Sequence, residues 1–219
     1  MADILNHLTT LVAAFAGAWG AFLFESRRKG SEEKGRQRAV ANRALYTVSN
    51  MWNVMYQYRG EIVAPYKGKC DSWLNMPATA PARYGLTSFD AEGLAFLLDC
   101  GEPMTYQKVL LEEQRFWGTI HLIEQRTAIL LGRVHTALGA AGVRIGTPLS
   151  ADDVETIIGI DVAHQLRVWT PAVMEQVEAN VASLVEAHNT LRATMKKLYP
   201  KTKFVSVEFK ALPDDTTSA

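Results

Sequence analysis

The sequence predicts an all-α protein in which a single N-terminal transmembrane helix is followed by a helical bundle of three long helices and one or two short ones. Three observations carry this expectation. Residues 4–24 hold 21 residues without a formal charge. Downstream, apolar residues return every three and four positions over three long stretches, the period of one helical stripe. Only the segment 203–209 (KFVSVEF) has the character of a strand, and a lone strand lacks the partner it needs.

The uncharged stretch comes first. At about 1.5 Å per residue it matches the roughly 30 Å hydrocarbon core of a bilayer. Its inner part, residues 11–24, has no polar side chain, and Glu25, Arg27, Arg28 and Lys29 follow directly. No Lys or Arg precedes Arg27, so the segment lacks the basic start of a cleaved signal and reads as a retained anchor over 1–25. The positive-inside rule then places the N-terminus outside and the remainder in the cytoplasm. Ala13, Gly17 and Ala21 recur every fourth residue, a small-residue stripe that suits helix-to-helix packing with a second copy.

Seven basic side chains between 27 and 43 face only Glu32 and Glu33, a local surplus of five positive charges in a chain whose 23 basic and 23 acidic residues balance. Arg27, Arg28 and Lys29 are placed to meet anionic headgroups, although charge there also serves simply to stop transfer. Residues 26–38 are polar and carry Gly30 and Gly35, so they form either a basic juxtamembrane connector or the solvated start of the next helix. The global neutrality gives no field for nucleic acid.

Residues 39–199 form the bundle domain. Ala41, Ala44, Leu45, Val48, Met51, Trp52, Met55 and Ile62 trace the first stripe, which ends before Pro65. Three of the eight prolines lie in the main loop, 65–86. Ser88 is the expected cap of a short helix that closes at Cys100 and Gly101. Pro103 suits the first position of a second long helix with the seam Val109, Phe116, Ile120, Ile123, Leu130, Val134 and Ala137, in which Glu113 and Thr127 are polar exceptions. Gly139, Gly142 and Gly146 end that run. Ser150, with Asp152 and Asp153, announces a helix that Gly159 interrupts.

Thr170 and Pro171 offer the start of the last long helix, whose seam is Met174, Val177, Val181, Leu184, His188, Leu191, Met195 and Leu198. His188 is expected to be buried and neutral, with Glu113 or Thr127 as its partner. These seams read as too interrupted for one continuous coiled coil. The tail, 200–219, is expected to pack in extended form on the helices and then to become disordered in its terminal PDDTTSA.

No motif supplies a reaction. A di-iron bundle needs Glu-x-x-His pairs, and the chain has only His121 to Glu124 in reverse order and the two-residue Glu186 to His188. Lys67 to Cys70 lacks the glycine, the Ser or Thr and the preceding strand of a phosphate loop. There is no G-x-S-x-G elbow, and Cys70 and Cys100 form no CxxC pair. The run Arg59-Gly60-Glu61-Ile62-Val63-Ala64-Pro65 is similar to one helix end in the LemA family, a stretch too short to carry a function across.

The expectation is therefore a non-enzymatic, membrane-anchored cytoplasmic interaction or scaffold protein without a cofactor. Its partners are the membrane, a cytoplasmic protein and, through the small-residue stripe, a second copy. The alternative is a membrane-tethered small-molecule sensor, with a pocket between helices lined by Trp52, Tyr56, Tyr58, Phe116 and Trp117.

Overall fold

The computed structural model describes residues 2–81, 88–144 and 147–209, with side chains from residue 15 onward. All regular structure in these residues is helical, so the all-α class holds. Three long helices, α1 (Ala2–Tyr58), α5 (Pro103–Ile129) and α8 (Ile160–Leu198), pack lengthwise, α8 lying against both of the others. Five short helices join them rather than one or two: α2 (Ser72–Asn75), α3 (Ala91–Leu94), α4 (Phe96–Asp99), α6 (His135–Ala140) and α7 (Ala151–Ile158).

Of the two expected forms, residues 26–38 take the second, solvated helix, and not that of a separate connector. They belong to α1, which runs 57 residues without a break, about 85 Å. Pairs one turn apart sustain this stretch in place of tertiary contacts: Lys29 to Glu25 at 3.0 Å, Arg28 to Glu32 at 3.4 Å and Gln37 to Glu33 at 3.0 Å. The helix enters the core at Val40 and buries Ala41, Ala44, Leu45, Val48, Met51, Trp52 and Met55, the expected stripe. It then loosens into a π turn at Arg59–Val63 and a 3₁₀ turn at Ala64–Tyr66, where Pro65 removes a donor and prevents continuation.

The cap after the main loop is Asp90 and not Ser88. Phe89 is buried, and its N–H donates to Glu113 at 3.2 Å, so the chain turns into α3 only after that residue. The Asp90 carboxylate accepts from the Gly93 N–H at 2.7 Å, and a β-carbon at Gly93 would collide with it. Of the main loop, residues 82–87 lie outside the described residues. Pro103 opens α5 as expected. After a π turn at Leu130–Val134 the same rod ends in α6; of the three expected stop glycines, Gly146 lies outside the described residues.

Ser150 and Asp153 close a reciprocal capping box on α7. Gly159, at φ +86°, then lets α8 begin at once. Helix α8 starts at Ile160, ten residues before the expected Thr170 and Pro171. Pro171 lies on the exposed face, while Thr170 is fully buried and serves the core instead of a cap.

Two apolar clusters result. The larger one joins α1, α5 and α8; the smaller gathers Trp73, Leu130, Val134, Val154, Val162, Ala163 and Leu166 around α7. The segment 203–209 is extended and makes no strand, as expected: Phe204 is buried, and the Val205 N–H donates to Asn42 at 3.0 Å. The terminal PDDTTSA lies outside the described residues.

Candidate functional site

Two features stand out chemically, an unclothed helix and a polar seam. From 15 to 34 every residue of α1 is exposed. Phe15 (70%), Phe22 (65%) and Phe24 (75%) turn most of their surface outward; Phe15 stacks on Trp19 and Trp19 meets Phe22 tilted, with centroids 6.3 and 6.4 Å apart. Among the described side chains the first buried one is Val40. Arg27, Arg28 and Lys29 form an exposed band directly after the aromatic part, Arg28 and Lys29 held by Glu32 and Glu25. Of the small-residue stripe, Gly17 and Ala21 are exposed and open, whereas the side chain of Ala13 lies outside the described residues. Among the described residues no helix is long and apolar enough to cross a membrane. The first eleven residues of the uncharged stretch, 4–14, fall outside the described side chains.

The seam between α5 and α8 was missed by hydrophobic reading. On α5 the buried positions 105, 109, 112, 116, 119, 123 and 126 alternate steps of four and three as in a coiled coil, Leu130 continues the series, and Ile120 is buried beside it. The apolar members are Val109, Phe116, Ile123 and Leu130. The other four, seven apart, are polar: Thr105, Glu112, Thr119 and Arg126.

Each polar member finds a partner on α8. The hydroxyls of Thr105 and Thr194 share a hydrogen bond of 3.0 Å. The Ser183 hydroxyl donates to Glu112 Oε2 at 2.6 Å, and Arg115 donates to Oε1 at 2.7 Å. Asn180 Nδ2 donates to Thr119 Oγ1 at 2.6 Å. Arg126 Nε donates to Thr170 Oγ1 at 2.8 Å.

Arg126 does more than join two helices. Its remaining donors hold backbone carbonyls of the main loop, Nη1 that of Pro77 at 3.2 Å and Nη2 that of Met76 at 2.7 Å, with Trp73 at 3.5 Å. Burial pushes this guanidinium down to about 10, an effect that the nearby Tyr58 partly offsets. The side chain is 1% exposed, so a charge sits in the interior on dipoles alone.

His188 is buried as expected, and burial holds its imidazole below the ordinary 6.5, with Arg192 acting in the same direction and Asn189 against it. Its expected partners are committed elsewhere: Glu113 accepts from Phe89, and Thr127 donates to the Thr79 carbonyl at 3.2 Å. Among the described residues neither ring nitrogen has a hydrogen bond. The ring instead meets Phe209 edge-on at 4.9 Å.

Trp52 and Tyr56 stack at 4.6 Å and Phe116 is fully buried, so these rings serve the core. A groove of about 520 Å³ does run along α5 and α8, lined by Met104, Thr105, Lys108, Glu112, Arg115 and Thr190 among others. Among the described residues no three His, Cys, Asp or Glu side chains gather as metal ligands, and both cysteines are free and exposed. Compared with known proteins, the chain matches no family model, no curated protein and no solved structure.

Proposed function

We propose that the protein is a membrane-anchored interaction module. The N-terminal part of α1 crosses the membrane once, with the N-terminus outside; Arg27, Arg28 and Lys29 meet anionic headgroups on the cytoplasmic side; and the bundle docks a protein partner. One observation carries the reading: α1 leaves the core unbroken, and among the described residues its aromatic segment has no protein surface to bury against. Contiguous apolar surface of this kind is seldom left in water. The uncharged residues 4–24 and the abrupt basic band give the same segment the pattern of an anchor.

The test is topological. Full-length protein stays in the pellet after carbonate extraction, and a C-terminal alkaline phosphatase fusion is inactive. Release by carbonate removes the anchor from the reading, and an active fusion reverses its orientation.

The α5–α8 groove supports a second reading, sensing of a small molecule, because the buried carboxylate of Glu112 lines it beside Lys108 and Arg115. A ligand that raises the melting temperature of the wild-type chain but not of Glu112→Gln would favour it.

A further inference from the structure

The tail segment 203–209 lies in the groove between α1 and α8. Val205 is tied to Asn42, and Phe209 reaches Trp52, with centroids 5.0 Å apart, and His188. The four extended residues between these points cover about 13 Å, close to the roughly 15 Å that α1 rises from Asn42 to Trp52. The strap therefore follows the groove along α1. Phe204 is buried at its start, but beyond that residue the hold is light: among the described residues the Val205 bond is its one hydrogen bond, and Phe209 is only half-buried.

The walls beneath it are not satisfied by this cover. Among the described residues, Trp52 Nε1 on α1, and both His188 ring nitrogens and Arg192 Nε on α8, are buried without hydrogen-bond partners. Buried polar groups are nearly always paired in native proteins, and an unpaired one destabilises the state that contains it. The tail seals the groove with aromatic surface while leaving its donors unmet.

We propose that 203–209 is a self-ligand, seated where an extended, aromatic-bearing segment of a partner protein binds and displaces it. Such a segment matches the shape of the cover now in place, and its main-chain carbonyls would reach the Trp52 and Arg192 N–H groups. This assigns the docking surface within the interaction-module reading and rests on it. The binding assay is independent of membrane retention, so failure of one is distinguishable from failure of the other.

The probe is a fluorescent peptide of sequence KFVSVEF, titrated into the detergent-solubilised full chain, into Phe209→Ala and into a chain ending at Thr202. Affinity is expected to rise in that order, at least tenfold from first to last, with a scrambled peptide not binding. Equal affinity for all three chains, or no binding to a shortened chain that still melts cooperatively, overturns the proposal. Loss of cooperative melting on shortening also overturns it, since the strap is then a part of the core. A dimer that dissociates on shortening would place a second copy's tail in the groove and exclude the partner assignment.

Discussion

Helix α8 has two long neighbours, and they meet it in different ways. What α1 buries is almost wholly apolar; of its buried polar residues Ser49 donates to its own helix, at the Leu45 carbonyl. On α5 every second seam position is polar and is paired across to α8. Apolar contact is non-directional and tolerates sliding, whereas a hydrogen-bonded polar layer is satisfied in one register only. The α1 face therefore supplies burial energy, and the α5 face fixes alignment.

Four substitutions or conditions sharpen this contrast. Arg126→Met is expected to cost the most, about 4 kcal/mol, because it leaves the Thr170 hydroxyl and the loop carbonyls without their donor. Denaturant unfolding of the solubilised chain measures it, and a loss below 1 kcal/mol would show that the loop holds itself.

Leu45→Ala on the apolar face should cost about 3 kcal/mol from lost burial and the cavity left behind. The same unfolding experiment checks it.

Asn180→Leu should cost about 1–2 kcal/mol, since the Thr119 hydroxyl loses its donor from α8 and keeps only its own bond to the Arg115 carbonyl. Adding Thr119→Val should recover part of that loss, a coupling of about 1 kcal/mol; simple additivity would mean that the pair does not act as a unit.

The smallest effect is on pH dependence. The folded state holds the His188 pKa below its unfolded value of about 6.5, so folding disfavours the proton. Its contribution is intact above 6.5 and is lost as pH falls through 6.5 toward the folded value. The melting temperature of the wild-type chain should therefore fall more between pH 7 and 5 than that of His188→Leu, and identical slopes would exclude the burial effect.

Much of the fold was legible in the sequence because the signals were local: the stripe from Ala41 to Met55, Pro103 at a helix start, the helix start at Ser150 and the stop at Gly159. The failures were of other kinds. Two glycines in a polar run look like a linker, yet paired charges one turn apart carry α1 through Gly30 and Gly35. Pro171 looks like a helix start, but on an exposed face the long helix accommodates it. The polar seam was hidden because a search for apolar residues passes from Val109 to Phe116 without stopping at Glu112. It then singles out Glu113 and Thr127, each one residue beyond a seam position. The partner of His188 could not be read from one helix, since it depends on where the tail and α5 lie.

The unbroken passage of α1 from its exposed aromatic end into the core makes the helix a crank. Each residue turns the chain by about 100° and advances it 1.5 Å. One alanine inserted between Arg28 and Arg36 would leave every core contact intact and yet swing the whole bundle by more than a quarter turn relative to Phe15, Trp19 and Phe22. Seven inserted residues would return it almost to its starting angle, about 10 Å further out. Whatever grips the N-terminal end sets the compass bearing of every surface on the bundle, including the groove that the tail now fills.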